Sequence, residues 1–192
     1  MTPMKVLVLG ATGGTGRHIV TQAHEAGHIV SAFDRKAELS LAQAVRGQDA
    51  VISAIGRGKS FRAQGLIANA VNDILAAMKA AKVRRLIFMS ALGVGASYQD
   101  SPLPARIFFR TLLRGIYADK AIGDGLIQTS DLDWTIVQPA QLTDGPLTGA
   151  YRSGEHLQMS GMPQISRADT AQFIVRQLSD RSNVRKTVIV SN

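Results

Sequence analysis

The hydrophobic pattern alternates along the chain between short runs rich in β-branched residues and longer segments with apolar residues every three or four positions. This alternation predicts a parallel sheet covered by helices on both faces, because strands buried on both sides appear as continuous apolar runs. The predicted strands are residues 5–9, 28–33, 50–55, 85–90, 134–137 and 186–190. The predicted helices are residues 16–26, 39–46, 66–81, 122–130 and 168–178. We therefore expect an α/β fold with a doubly wound parallel sheet and a single domain over residues 1–192.

The composition excludes several classes of protein. With 45% hydrophobic and 19% charged residues among 192, the chain can form one core, which excludes general disorder. The absence of cysteine excludes a disulfide scaffold, a thiolate metal site and a cysteine nucleophile. The four histidines show no ligand spacing with carboxylates, so no metal is expected. No apolar run approaches the roughly 20 residues of a membrane span, and we expect a cytoplasmic protein.

The net charge of +8 is spread over small, separated groups of lysine and arginine. Proteins that bind single-stranded nucleic acid place aromatic side chains among such groups, and this chain does not. Nucleic acid is therefore not expected as a partner. A basic surface equally attracts anionic small molecules, including phosphorylated cofactors.

The segment Gly10-Ala-Thr-Gly-Gly-Thr-Gly-Arg17 lies directly between the first predicted strand and the first predicted helix. In that context a glycine-rich turn forms a phosphate site, because free N–H groups and the positive end of the helix face the anion. Gly10 allows the tight turn, Gly13 lets a pyrophosphate approach the backbone, and Gly16 lets the helix pack on the strand. The sequence therefore predicts a dinucleotide site.

The end of the second predicted strand carries conflicting signals for the adenosine half of a dinucleotide. Asp34 follows Gly16 by 18 residues, close to the roughly 20-residue spacing at which ribose specificity is set. Asp34 would accept hydrogen bonds from a free ribose 2′-hydroxyl. Arg35 and Lys36 would instead bind a 2′-phosphate, or form an ordinary solvated pair of charges. NADP(H) is favoured over NAD(H).

Six segments together carry a family resemblance that covers nearly the whole chain. They are Gly10–Arg17, Gly47–Gly56, Met89–Gly95, Leu132–Pro139, Leu142–Gly149 and Ile165–Asp169. The chain resembles the atypical short-chain dehydrogenase/reductases, specifically the NmrA-like NAD(P)H-binding group with its NADH-flavin reductases and biliverdin reductase B type. The resemblance implies a Rossmann-type sheet and a bound nicotinamide dinucleotide. It leaves the reaction open, because the group contains both reductases and non-catalytic cofactor sensors.

The resemblance also assigns cofactor contacts by position. The residues it places on the pyrophosphate are Gly10, Thr12, Gly13, Gly14, Thr15 and Gly16. It places Arg35 and Lys36 on the adenosine side. The residues it places near the nicotinamide and its ribose are Ala54, Ile55, Gly56, Ser90 and Pro139. These segments follow strands whose ends meet at one edge of the sheet, where open α/β sheets bind ligands.

Two departures from the family pattern affect these expectations. The interval between Lys36 and Gln48 shows no strand of the kind that commonly contacts adenine, so either the sheet is one strand short or the sequence omits a stretch. The familiar Tyr-x-x-x-Lys is replaced by Tyr117-Ala-Asp-Lys120, which is one residue shorter. Both spacings keep side chains on neighbouring positions of a helix, but in different places. Lys120 and Asp124 match the group's own Asp-Lys pattern with an acidic residue four positions later.

Ser90, Tyr117 and Lys120 are the candidate catalytic residues. The resemblance places Ser90 where a short-chain reductase usually has its active-site serine. Each residue also has an ordinary alternative: a strand-end serine for Ser90, packing for Tyr117, and a surface ion pair with Asp124 for Lys120. Hydride transfer mainly requires a positioned nicotinamide and a dry site, so proton donation by the protein is optional.

Residues 91–118 and 139–165 are expected to form the substrate side. Their apolar character with a basic rim suits a planar, anionic acceptor such as FMN or FAD, or else an ordinary core face. The expected function is NAD(P)H-dependent hydride transfer to a flavin or another conjugated small-molecule acceptor. The alternative is a non-catalytic, NmrA-like NAD(P) redox sensor that acts through a protein partner. An epimerase or dehydratase of a nucleotide sugar fits the chain length poorly.

Overall fold

The computed structural model describes residues 2–33, 39–56, 65–99 and 114–192. Nine β-strands and five α-helices lie in these ranges. The strands are β1 (Lys5–Leu9), β2 (Ile29–Phe33), β3 (Ala50–Ser53), β4 (Arg85–Met89), β5 (Asp133–Pro139), β6 (Gln141–Thr143), β7 (Arg152–Gly154), β8 (Gln164–Ser166) and β9 (Lys186–Ser191). The helices are α1 (Gly14–Glu25), α2 (Leu41–Val45), α3 (Leu66–Ala81), α4 (Arg114–Gln128) and α5 (Arg167–Arg176).

Seven of these strands form one sheet, in the order β2-β1-β3-β4-β5-β9-β7. All neighbours pair in parallel except β7, which runs antiparallel to β9. The strand order reverses direction at β1, which pairs with β2 on one side and β3 on the other. In an open α/β sheet such a reversal leaves a crevice at the carboxyl ends of the strands, and ligands bind there.

The core has two layers because successive strand residues point to opposite faces of the sheet. Val6 and Val8 of β1 pack with α1 and α5, whereas Leu7 and Leu9 pack with α2, α3 and α4. Helices therefore cover both faces of the mostly parallel sheet. The expected single-domain, doubly wound α/β fold of Rossmann type is confirmed.

Three differences separate the observed elements from the predicted ones. Helix α4 begins at Arg114 rather than near Ile122, and β5 extends to Pro139. No strand was predicted where the three-residue strands β6, β7 and β8 lie. In the described residues between β2 and β3 there is a helix, α2, and no strand, so β2 forms an edge of the described sheet. Within the described parts of the chain, no helix is long and apolar enough to span a membrane.

Candidate active site

A cleft of about 940 Å³ opens at the carboxyl ends of β1, β2, β3 and β4, where the strand order reverses. This volume lies at the upper end of the range for small-molecule sites. The lining residues that the sequence assigns to the cofactor are Gly10, Thr12, Gly13, Gly14, Thr15, Ala54, Ile55 and Gly56. The other lining residues are Leu9, Phe33, Leu39, Ser40, Leu41, Ala70, Asp73, Ile74, Met89, Leu142 and Arg167. The predicted loop and strand ends therefore share one cleft.

The turn after β1 depends on two of its glycines. Gly10 has a φ of +78°, which favours glycine, and a Cβ there would lie 2.7 Å from the carbonyl oxygen of Ala54. Gly16 does not line the cleft, because it packs beneath the turn, where a Cβ would collide with the Gly10 carbonyl group. The tight turn and the close approach of α1 expected from the sequence are thus both present.

The N-terminus of α1 faces the cleft without a capping side chain. Gly13 occupies the N-cap position, with φ −71° and ψ 165°, and makes no side-chain hydrogen bond. The first intrahelical bond runs from the Arg17 N–H to the Gly13 carbonyl at 3.0 Å. Among the described residues, nothing accepts a hydrogen bond from the N–H groups of Gly14, Thr15 and Gly16. Such free donors at the positive end of a helix form an anion site.

Arg167 lies on the other side of this helix end. It is the first residue of α5, and a Cβ on Gly14 would lie 2.9 Å from both its Cδ and its Nε. Its Nη1 donates to the Asp144 carboxylate at 2.6 Å, and 28% of the Arg167 side chain remains exposed. Gly14 therefore leaves room for the Arg167 side chain. This reason for a glycine at position 14 was not found from the sequence.

Asp169 fixes the loop that follows β6. Its buried carboxylate accepts from the Thr148 and Gly149 N–H groups at 2.8 Å each, and from the Thr148 and Ser166 hydroxyls at 2.9 Å each. Burial opposes ionisation, but the hydrogen bonds from Gly149, Thr148 and Ser166 together lower the pKa of Asp169. Ser166 is the N-cap of α5, and its hydroxyl accepts from the Asp169 N–H at 2.9 Å, whereas the Asp169 carboxylate binds this loop instead of closing a reciprocal capping box.

Ser90 directly follows β4 and is almost fully buried. Its hydroxyl donates to Asp124 Oδ2 of α4 at 2.8 Å, and the Gln138 Nε2 of β5 donates to the same oxygen at 3.3 Å. Burial raises the pKa of Asp124 to about 6, although the bonds from Ser90 and Gln138 and the charge of Lys120 oppose this effect. Asp124 Oδ1 and Gln138 Oε1 are buried and have no hydrogen-bond partner within the part of the chain that the structure describes. Burial therefore brings the pKa of the Asp124 carboxyl closer to neutral pH than that of an exposed aspartate.

Lys120 lies one helical turn before Asp124 and is half-buried. Burial lowers its pKa, while the carboxylates of Asp124 and Asp119 raise it. Its acidic neighbours Asp119 and Asp124 are themselves buried, so an ion pair between Lys120 and Asp124 would not lie at the surface. Tyr117 is half-buried as well, and burial raises its pKa to about 12.

Asp119 has a structural role that sequence analysis missed. Its carboxylate oxygens accept from the N–H groups of Ile67 at 3.0 Å and Ala68 at 3.2 Å, in the first turn of α3. Gly65, the N-cap residue of α3, makes no side-chain hydrogen bond. Asp119 therefore caps α3 from a different helix and ties α4 to the far side of the cleft.

The remaining predicted residues lie away from the cleft or outside the described ranges. Met89 lines the cleft, whereas Ser90 and Pro139 are buried and do not. Arg35 and Lys36 lie outside the described residues, as does much of the predicted substrate segment 91–118. Among the residues that the structure describes, no group of histidine and acidic side chains is arranged to hold a metal ion.

A family model described as NAD(P)H-binding matches residues 36–181. The chain belongs to this NAD(P)H-binding family. The matched range includes most of the strands and helices, whereas the glycine-rich turn lies before it. Membership agrees with the resemblance drawn from the sequence and with a cleft built around an uncapped helix end.

Relatives and solved structures match this chain over nearly its whole length. It is 28% identical to protein YwnB of Bacillus subtilis over 214 positions, which cover 97% of this chain and 98% of YwnB. Because 214 exceeds 192, YwnB has residues within the aligned region that this chain lacks.

Two solved structures illustrate the shared fold. A Streptococcus pneumoniae protein assigned to the NADH-flavin reductases superimposes with a TM-score of 0.81 at 24% identity, covering 98% of this chain and 99% of that one. A wide-type short-chain dehydrogenase/reductase from Veillonella parvula, in complex with NADP, gives a TM-score of 0.78 at 17% identity, covering 100% of this chain and 95% of that one. At these identities the neighbours establish the fold of this chain.

Proposed function

We propose that this chain is an NAD(P)H-dependent reductase that transfers a hydride from the nicotinamide to a flavin or another conjugated small-molecule acceptor. The observation that carries the proposal is the uncapped N-terminus of α1 in a cleft at the reversal of strand order. That position is where doubly wound sheets bind dinucleotides. The family match and the neighbours described as reductases support the same reaction class.

We propose that the dinucleotide lies along the cleft, with its pyrophosphate at the N-terminus of α1. The N–H groups of residues 14–16 would hold the pyrophosphate, and the absence of a side chain on Gly13 leaves the backbone open to it. The adenosine half would lie toward β2 and α2, where Phe33 and Leu41 line the cleft. The nicotinamide half would lie toward Ile55 and Met89, at the ends of β3 and β4.

The chemistry divides between the cofactor and the chain. A reduced nicotinamide, when bound, supplies the hydride. The apolar side chains of Ile55, Met89 and Leu142 would exclude water and orient the acceptor. Ser90 and Asp124 hold a proton behind Met89, and Lys120 adjusts its affinity through charge. In this proposal Ser90 passes that proton toward the reduced acceptor, and Asp124 replaces it.

The two proposed ligands are a nicotinamide dinucleotide and a flavin. We propose NADPH over NADH because Arg35 and Lys36 follow β2 and would bind a 2′-phosphate. FMN or FAD is the proposed acceptor, since the neighbours include a protein assigned to the NADH-flavin reductases. The absence of cysteine suits a reducing compartment, and we place the reaction in the cytoplasm.

The first experiment measures NADPH oxidation by the purified protein with and without FMN, and then repeats the assay with NADH. Acceptor-dependent turnover above about 1 s⁻¹ would support a reductase. The Arg35→Ala variant should weaken NADPH far more than NADH, and equal loss for both would contradict the assignment of the 2′-phosphate. Micromolar NADPH binding without any turnover would contradict the reductase and favour a redox sensor that acts through a protein partner.

The pH dependence of turnover tests the proton-holding pair. Because burial raises the pKa of Asp124 to about 6, its protonated fraction falls above that pH. If Asp124 supplies the proton, kcat should decline roughly tenfold per pH unit above about 6 to 7. Asp124→Asn should remove this decline, and Ser90→Ala should lower kcat by about ten- to a hundredfold. Full turnover in both Ser90→Ala and Lys120→Ala would contradict proton transfer by the protein. The chain would then act only by positioning the nicotinamide and the acceptor.

A further inference from the structure

Arg167 and the N-terminus of α1 bring two positive groups to the same part of the cleft. The arginine side chain packs on Gly14, whose N–H is one of the free donors of α1. The positive end of a helix attracts anions and disfavours a neighbouring cation. Among the described residues, Asp144 is the carboxylate that compensates the charge of Arg167, at 2.6 Å.

The partner of Arg167 is poorly suited to a permanent structural role. The Asp144 side chain is 90% exposed, whereas 28% of Arg167 is exposed and the arginine lines the cleft. Exposed ion pairs contribute little to folding, because solvent screens them and both side chains lose freedom. An anion that enters the cleft would meet Arg167 beside three free N–H groups and would replace Asp144 with little cost.

The loop that carries Asp144 is fixed at both of its ends. At one end Thr143 of β6 pairs with Ser166 of β8. At the other end Asp169 accepts from the Thr148 and Gly149 N–H groups. Residues 144–147 form the interval between these two anchors. Leu142, immediately before the loop, lines the cleft on the side proposed for the nicotinamide.

We infer that Arg167 is a pyrophosphate ligand that exchanges Asp144 for the dinucleotide, so that cofactor binding releases residues 144–147 beside the acceptor site. This inference rests on the proposed function, since it assumes a dinucleotide in the cleft. Arg167 forms the second arm of the pyrophosphate site, opposite the N–H groups of α1. Asp144 is a built-in competitor of the cofactor for that arginine.

Two ligands, four single variants and one double variant test this exchange by calorimetric titration. The ligands are NADPH and ADP-ribose, which carries the pyrophosphate without the nicotinamide. Arg167→Gln should weaken both ligands by about ten- to a hundredfold, the value of a charge-assisted hydrogen bond. Arg167→Lys should recover part of that loss, because it keeps the charge without the planar fork. Arg176→Gln, at the exposed end of α5, is the matched control and should change neither affinity.

Asp144→Asn should tighten both ligands by about two- to fivefold, because it removes the competing carboxylate. The same change made in Arg167→Gln should have no effect, since no guanidinium remains to be released. Melting temperatures of all variants show whether each one is folded.

The outcomes separate this inference from the proposed function. If the wild-type protein binds neither NADPH nor NADH, both fail. If the wild-type protein binds NADPH and folded Arg167→Gln binds it equally tightly, the reductase proposal stands and the arginine inference fails. A gain from Asp144→Asn that persists in the Arg167→Gln background would also overturn the exchange, because Asp144 would then act on the cofactor directly.

Discussion

The N-termini of α1 and α5 differ in what meets their free N–H groups, although the two helices pack side by side on one face of the sheet. At α5 the Ser166 hydroxyl accepts from the Asp169 N–H at 2.9 Å, and the acidic Asp169 lies in the first turn. At α1 the N-cap is Gly13, with no capping side chain and no acidic residue in the first turn. The first arrangement stabilises its helix locally, whereas the second leaves donors free for an external anion.

At α2 and α3 side chains also accept hydrogen bonds from the free N–H groups. Ser40 and Gln43 form a reciprocal capping box at α2. Asp119 accepts from two N–H groups of α3. The uncapped end of α1 is therefore a departure from how this chain treats its helices, and it lies in the cleft. Folded chains leave such donors unpaired mainly where water or a ligand satisfies them.

The largest expected effect comes from giving α1 the kind of cap that α5 has. Gly13 has backbone angles that any residue adopts, and a Cβ there would lie 3.2 Å from the Gly10 carbonyl oxygen, a close contact that a small shift of the turn relieves. Gly13→Asp should therefore place a carboxylate over the free N–H groups. It would occupy the anion site and repel a pyrophosphate. We expect at least about a thousandfold loss of NADPH affinity, since several charge-assisted hydrogen bonds are removed. The free energy of unfolding should stay within about 1 kcal/mol of the wild type, because the gain of a cap offsets the close contact with the Gly10 carbonyl oxygen.

Gly13→Asn is the matched control for this change. Asparagine caps a helix about as well as aspartate but carries no charge. The NADPH affinity of Gly13→Asn should therefore fall between those of the wild type and Gly13→Asp. NADPH titration and urea unfolding measure the two quantities separately. Unchanged NADPH affinity in Gly13→Asp would show that the helix end is not the phosphate site, whatever happens to stability.

The second prediction concerns Asp169, the acidic residue in the first turn of α5. Asp169→Ala leaves the N–H groups of Thr148 and Gly149 and the hydroxyl of Ser166 without their acceptor in a buried place. Each unsatisfied buried donor costs about 1–3 kcal/mol, and some will find water, so we expect a loss of about 2–4 kcal/mol. NADPH affinity should change much less than in Gly13→Asp. A variant as stable as the wild type in urea would contradict this role.

The pH dependence of stability checks the same carboxylate. Because its hydrogen bonds lower the pKa of Asp169 in the folded protein, its ionised form stabilises the fold above the unfolded pKa of about 4. That contribution is lost as the pH falls through the folded pKa. The stability difference between wild type and Asp169→Asn should therefore be full at pH 7 and shrink below about pH 4. A difference that stays constant from pH 7 to pH 3 would exclude this charge as its source.

The sheet and its covering helices could be predicted because buried parallel strands and amphipathic helices have distinct periodicities. The phosphate loop could be predicted because its glycines lie between a strand and a helix. The strands of residues 141–143, 152–154 and 164–166 are too short to show a period. Helix α4 began earlier than predicted, because Gly115 and Gly123 weaken the helical signal in its sequence.

The side-chain partners of the site could not be predicted, because they join residues far apart in the chain. Arg167 meets Asp144 across 23 positions, and Asp119 reaches the first turn of α3 across more than 50. Both Arg167 and Asp144 lie inside segments that carried the family resemblance, and that was the available signal. The contact between these two side chains depends on how β6, β8 and α5 pack together. The hydrophobic periodicity of the sequence holds no information on that packing.

The smallest effect is expected at α3, whose cap comes from another helix. Asp119→Ala should destabilise the protein by about 1–2 kcal/mol, the usual cost of losing an N-cap acceptor. Asp119→Asn keeps one oxygen for Ile67 or Ala68 and should lose about half as much. Urea unfolding measures both losses, and NADPH affinity should stay within about threefold, because this helix end has its donors satisfied by the chain itself. If Asp119→Ala remained folded but no longer bound NADPH, the capped N-terminus of α3 would also be needed for ligand binding. The contrast between capped helix ends with a structural role and the uncapped end of α1 with a ligand-binding role would then be wrong.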